Sequence, residues 1–405
     1  MNSEITTSSL AEKNELQVRL TACLIVLSTS LVLSASNIFM PSLLQIASSF
    51  GCNSNTLLIS VSIFYMAFAI SGLFFGAFAD YFGHRIAMLA GFSLFITGSC
   101  ICLFSGNYQV FMLGNLLEGI GAAAPVIVGL ATIQNLYSPE DSVKTLGWMG
   151  ALLSIMPSIS PILGGYLAME GWRTNYVFIS TVSLVVFVLM YVFYTDNHKS
   201  NKEKSGLLFQ LFASYWSVIS HLGFLRYAFL YPILVLGSTT FLTAMPLYLM
   251  QGLHYDSKMC GYLIGFMTIG YALGGLSTSK LVTKYGMQMT LRFGILLTLS
   301  SSALLFLSFI ATSKYMLFVI AAFIFQIGLA VVHPPSTTIA VRYFTNKRAS
   351  ASAVRGTFSI LGSALGATIA AALNNFNISY IAGVTFIAAL VASYLALMSS
   401  INEHH

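Results

Sequence analysis

Twelve stretches of twenty or more mostly apolar residues follow one another along this 405-residue chain, near positions 19–44, 56–79, 86–106, 109–136, 145–168, 174–195, 225–251, 259–279, 290–311, 315–340, 350–374 and 377–400. About twenty apolar residues in a helix cross the roughly 30 Å hydrocarbon core of a bilayer. A helix also satisfies its own backbone hydrogen bonds where no water can. The spacing therefore predicts an all-α integral membrane protein with twelve transmembrane helices. Composition agrees: 57% of residues are hydrophobic and 7% are charged, against about 25% charged in soluble domains.

The placement of the 18 Lys and Arg residues predicts the orientation. With both termini cytoplasmic, fifteen of them fall in inside loops or helix ends, and Arg173, Lys258 and Lys314 fall outside. This is the positive-inside pattern. It accounts for the net charge of +6 and leaves no basic patch for a nucleic-acid partner. The first eighteen residues are polar and lack the basic start and cleavage site of a secretory signal, so the first apolar segment is expected to remain as a span. The longest polar run, Thr195 to Ser205 (TDNHKSNKEKS), divides the spans six and six. The expected organisation is a cytoplasmic tail at 1–18, a six-helix bundle at 19–195, a cytoplasmic linker at 196–224, a second bundle at 225–400 and a short tail at 401–405. An internal repeat supports two pseudo-symmetric halves: Gly83 and Gly91 in FGHRIAMLAG match Gly286 and Gly294 in YGMQMTLRFG. Duplicated halves of this kind rock against each other around a central site in transporters.

Other chemistries find little support. Cys23, Cys52, Cys100, Cys102 and Cys260 form no metal-ligand spacing, and their odd number argues against a disulfide framework. They read as packing residues, with a Cys52–Cys260 bridge between external loops as the one conceivable pair. Gly274 and Gly275 are followed by no Lys in nucleotide-loop spacing. No aqueous domain is available to hold a Ser, His and Asp triad, so neither an enzyme nor a cofactor is expected.

The stretch Gly72 to Arg85, GLFFGAFADYFGHR, ends an apolar helix in a tight charged turn. Gly72 and Gly76 make a smooth face for a neighbouring helix, and Gly83 permits a sharp reversal. The pattern Gly76, Asp80, Gly83, Arg85 resembles the loop signature between the second and third helices of the major facilitator superfamily. Tyr81 stands where that family usually has a basic residue. In the fifth span, Ser160-Pro161-x-x-Gly164-Gly165, followed by Trp172 and Arg173, resembles the signature of its drug:proton antiporters, most similarly exporters of the bicyclomycin and chloramphenicol resistance type. Pro157 and Pro161 each remove a backbone hydrogen bond and are expected to bend this helix.

The match is partial at three places. Asn37 precedes Pro41 where the family often has an acid. Asn115 and Glu118 in NLLEGIGAAAP stand at positions usually held by Arg and Gln, and Gln134 and Asn135 replace a common Arg and Asp. Glu118 lies about a third of the way into the membrane. It reads either as a proton carrier or as a structural acid bonded to Asn115. His333, followed by Pro334 and Pro335, is expected at a helix break as a second proton site, a substrate contact or a structural donor. Arg355 reads as a snorkelling or interface cation.

The resemblance implies alternating access. Gly76, Asp80, Gly83 and Arg85 would act as a conformational latch, and Pro157, Pro161, Gly164 and Gly165 as hinge and seal. Glu118 and His333 would couple protons, and Asn37, Asn115, Glu118 and His333 would line the substrate cavity. It further implies a monomer in a bacterial cytoplasmic membrane that exports an amphipathic small molecule. Alternatives are a dedicated exporter of a metabolite such as a siderophore, an importer or uniporter, and a non-transporting sensor.

Overall fold

The computed structural model describes residues 2–195, 207–311, 315–344, 347–373 and 378–401. Most of the polar run Thr195 to Ser205, together with Lys314 and the last four residues of the chain, lies outside them. Among the described residues twelve helices are long and apolar enough to cross a membrane. They are α1 (Leu16–Phe50), α2 (Ser54–Phe82), α3 (His84–Phe104), α4 (Tyr108–Leu136), α5 (Glu140–Glu170), α6 (Arg173–Phe193), α7 (Leu222–Gly252), α8 (Ser257–Tyr285), α9 (Met287–Phe309), α10 (Met316–Arg342), α11 (Ser350–Leu373) and α12 (Ile378–Met398). An even number of spans puts the start of α1 and the end of α12 on one face of the bundle, here termed the terminal face. The opposite face is termed distal.

The spans form two groups, α1–α6 and α7–α12, joined by a helix at Leu207–Ile219 that packs on α11 and touches α2. Each half closes on helix pairs with small residues at the crossing. Between α3 and α4, a Cβ at Gly98 would meet the Glu118 backbone and side chain, one at Gly114 would meet Cys102, and one at Gly121 would meet Phe95. Between α9 and α10, Gly294 and Gly328 do the same against Val332 and Thr298. Apolar side chains gain little by leaving lipid for protein, so close backbone approach through small residues is what holds such pairs. The duplication extends to the backbone: Gly83 ends α2 at φ 93° and Gly286 ends α8 at φ 79°, a region that disfavours side chains.

The helix break expected at Pro334 and Pro335 does not occur. The helix Pro139–Leu167 runs unbroken through Pro157 and Pro161, and Tyr315–Arg342 runs unbroken through Pro334 and Pro335. In apolar surroundings neighbouring helices and hydroxyl side chains re-satisfy the carbonyls that proline frees, so helical geometry persists. The interruptions lie elsewhere: a 3₁₀ turn at Met40–Ser42 around Pro41, and π-helical turns at Ala124–Val128 around Pro125 and at Tyr248–Gly252 after Pro246. The Thr29 hydroxyl of α1 donates to the Pro125 carbonyl at 3.0 Å, tying α1 to the irregular turn of α4. All five cysteines are free. Cys102 and Cys260 are buried, whereas Cys23 is exposed, against the expectation that all five pack in the core.

Candidate functional site

The two halves meet along α5–α8 and α2–α11. At the distal end the α5–α8 contact is backbone to backbone. A Cβ at Gly165 would meet Ser257, one at Gly261 would meet Pro161 and Gly165, and one at Gly265 would meet Ile162 and Ser158. Gly164 packs in the same way on Ile38 of α1. Pro161 has no N–H to offer the carbonyl four residues earlier, which belongs to Pro157. The Thr268 hydroxyl of α8 lies 3.2 Å from that freed carbonyl and shares its hydrogen with two carbonyls of its own helix. Gln45 to Ser257 at 3.4 Å, Gln251 to Ser54 at 3.1 Å and a Tyr166–Tyr262 hydroxyl contact complete the distal rim. Beneath it, Leu247 and Ala367 of the second half join a cluster with Phe39, Met40, Phe111 and Trp172 of the first.

Toward the terminal face the same helices part. Pro157 faces Thr268. Seven residues, two helical turns, carry the same faces to Gly150 and Gly275. A Cβ at either would meet nothing within 4 Å. Gly147 is equally open, and neighbouring Trp148 is 75% exposed. Along this seam the halves thus form a wedge, with α5 and α8 sealed distally and parted terminally.

Glu118 and Asn115 lie three residues apart on one face of α4, each 1% exposed. That face turns onto α3 and α6. The Glu118 carboxyl is within reach of Ser99, whose hydroxyl accepts from Ser180 at 3.1 Å. Asn115 Nδ2 donates to the Phe111 carbonyl at 2.9 Å and to Cys102 Sγ at 3.5 Å. Glu118 Oε1, Asn115 Oδ1 and the Tyr176 hydroxyl have no protein partner. Gly98 is what admits the carboxyl: its missing side chain leaves the space that Glu118 Cγ fills.

A second cluster occupies the other half. The His333 ring stacks on Tyr231 of α7, with centroids 4.3 Å apart and planes at 24°. Tyr271 of α8 bonds both, to the Tyr231 hydroxyl at 3.0 Å and to His333 Nδ1 at 3.3 Å. Arg355 of α11 lies 4.9 Å from the Tyr231 ring centroid and donates from Nη2 to the His333 carbonyl at 3.3 Å and to Ser336 at 3.4 Å. Arg355 is 4% exposed. It does not snorkel, because α7, α8 and α10 enclose it before its side chain can reach the interface.

The four cavity candidates therefore divide. Asn115 and Glu118 are buried within the first half. Asn37 and His333 are half-buried and lie in different halves. Asn37 bonds locally, to the Leu33 carbonyl and the Ser36 hydroxyl at 3.1 Å each. The four latch candidates lie at the terminal face. A Cβ at Gly76 would meet nothing within 4 Å. Arg85 donates to the Tyr191 carbonyl at 2.6 Å. The exposed Asp80 carboxylate has no ion pair or hydrogen bond among the described residues. Its charge acts on Tyr215 of the joining helix, whose hydroxyl pKa is raised first by burial and then by Asp80.

The profile of the Major Facilitator Superfamily matches residues 25–298 and 227–404. The chain belongs to that superfamily. Among curated relatives, the chloramphenicol resistance protein CraA of Acinetobacter baumannii is 22% identical over 67% of this chain and 66% of its own length. The quinolone resistance protein NorA of Staphylococcus aureus is 25% identical over 81% of this chain and 83% of its own. The xylose transporter XylE from E. coli, solved in a partially occluded inward-open conformation, superposes with a TM-score of 0.74 at 12% identity, covering 94% of this chain and 97% of that one. At that identity the likeness concerns the fold.

Within this major facilitator fold, sequence reasoning missed Ser99, Cys102 and Tyr176 around Glu118, and Tyr231 and Tyr271 around His333 and Arg355. Hydroxyl-bearing side chains inside apolar spans were the available signal. Which of them converge depends on helix rotation, and periodicity in nearly uniformly apolar helices does not reveal rotation.

Proposed function

We propose that this chain is a monomeric exporter that moves an amphipathic, drug-like small molecule out of a bacterial cell by alternating access, in exchange for protons. The observation that carries the reading is the wedge: glycine-to-carbonyl packing seals α5 against α8 distally, while the same faces stand open at Gly150 and Gly275. The positive-inside charge distribution supports reading the terminal face as cytoplasmic; on that reading the described state is open to the cell interior, ready to load. The resistance activities named for the curated relatives supply the direction and substrate class.

In this reading Pro157, Pro161, Gly164 and Gly165 form the seal, and Gly76, Asp80, Gly83 and Arg85 latch the cytoplasmic side in the opposite state. The free Asp80 carboxylate and the open face at Gly76 are what a released latch leaves behind. Asn37 cannot titrate, so Glu118 carries the proton, with Ser99 and Ser180 leading toward α6. Asn37 and His333 contact the substrate.

The test is transport into everted proteoliposomes, with a panel of lipophilic cations, neutral antibiotics and siderophores under an imposed pH gradient. At least one compound should accumulate against its own gradient, and a protonophore should collapse the accumulation. Fluxes equal to those of protein-free vesicles across the panel would count against export. Asp80→Asn removes the charge from the hydrogen bond that the latch would form in the opposite state, worth about 1.5–3 kcal/mol. It is expected to slow transport by about tenfold or more at normal membrane insertion. Unchanged transport in that variant removes the latch assignment.

A further inference from the structure

Among the described residues Arg355 is the only Lys or Arg that is buried, and no carboxylate of the described residues pairs with it. Glu118, the only buried acid among them, belongs to the other half. Buried cations in proteins are ordinarily paired, because an uncompensated charge in a poorly polarisable interior is costly. What surrounds this guanidinium falls short of a partner. Its two hydrogen bonds, at 3.3 and 3.4 Å, lie beyond the normal 2.7–3.2 Å range. Nε is enclosed with no acceptor, and Nη1 has none among the described residues. The Tyr231 ring gives a cation–π contact, which offsets part of the charge and none of the missing acceptors.

The neighbours have a composition suited to a ligand. Tyr271 and His333 are half-buried, so the cluster has an accessible edge. Their hydroxyl and ring nitrogen sit beside the cation in one connected set with the Tyr231 hydroxyl. A charged head with two oxygens would supply the acceptors that Arg355 lacks and receive a further bond from Tyr271 or His333. The stacked Tyr231 and His333 rings would meet a flat apolar body. Arginine geometry matches a carboxylate. Arg355 stands five residues from the start of α11 at the terminal face, on the side where the wedge is open.

We propose that Arg355, with Tyr231, Tyr271 and His333, binds the carboxylate of the transported molecule, which is an amphipathic monocarboxylic acid with an aromatic or flat apolar body. This deepens the export reading and rests on it for the word transported.

The test uses three probes with one ring system and different heads: 2-naphthoate, 2-naphthamide and 2-naphthylmethylammonium. Binding to the full chain is measured calorimetrically in phosphatidylcholine nanodiscs, where no anionic headgroup competes. The wild type should bind the naphthoate at least about tenfold more tightly than the amide. Arg355→Gln should bring naphthoate binding down to the level of the amide in the same variant, and Arg355→Lys should retain part of the preference. Equal binding of naphthoate and naphthamide by the wild type, or no naphthoate binding, overturns the proposal. So does a preference that survives in Arg355→Gln. If Arg355→Gln does not yield monodisperse protein, the wild-type head-group comparison decides. Flux in proteoliposomes separates the two readings. Arg355-dependent naphthoate binding without movement of any probe keeps the anion site and removes export, whereas movement of the ammonium or amide probe without naphthoate preference keeps export and removes the anion site.

Discussion

Gly261→Val is expected to lock this transporter away from the state described here, with its distal end open and transport reduced by tenfold or more. The new side chain would meet the Pro161 carbonyl and Gly165 of α5, both backbone positions that no rotamer change can move. Overpacking of this kind costs about 1–3 kcal/mol, and it is felt only when α5 and α8 touch at their distal ends. A two-state equilibrium responds to such a differential cost by about tenfold per 1.4 kcal/mol, so the variant should fold but populate the opposite state. The readout is a cysteine at Ser158, buried in the seal, in a cysteine-free background. An impermeant maleimide added from the distal side should label it slowly in the parent and rapidly with Gly261→Val. Unchanged labelling together with normal transport would show that the seal does not govern the cycle.

Glu118→Gln is expected to abolish substrate-driven proton movement in proteoliposomes while substrate binding is retained. Glutamine matches glutamate in volume, fits the space beside Gly98 and keeps a partner in Ser99, but it cannot bind and release a proton. The carboxyl sits about 15 Å along α4 from its distal end, ten residues in at 1.5 Å each. It has no cation partner among the described residues and one oxygen without any bond. Because Glu118 lies on the α3–α6 side of α4, coupling would run through the packing of the first half and not through direct contact with the substrate. Proton flux that persists in the variant would transfer the coupling role elsewhere, with His333 as the first alternative. Equal substrate flux in both proteins without any proton response would favour a uniporter.

The backbone behaviour of Gly83 and Pro161 was legible because glycine and proline each have a local meaning. Gly83 adopts the positive φ expected of a sharp reversal, and Pro161 frees a carbonyl for the other half. The reading of Arg355 as an interface cation failed for the converse reason. A basic residue five positions into a span can reach either water or the bundle interior, and the choice depends on which neighbours surround it. The same ambiguity hid the division of the cavity candidates: Asn115 and Glu118 are buried within the first half, where the glycines at 98, 114 and 121 bring α4 against α3.

By itself the sequence determined that the chain has twelve spans, where each starts and stops to within about six residues, and that the halves carry matching glycine turns. These follow from one-dimensional quantities: apolar length against membrane thickness, charge placement and residue spacing. Only the tertiary structure decided which end of the wedge is closed, which hydroxyls gather around Glu118, and that Arg355 is enclosed without a counter-charge among the described residues. Those depend on the rotation of each helix about its axis and the crossing of helix pairs. In spans that are apolar on nearly every side, rotation is set by where small residues on two different helices allow their backbones to meet.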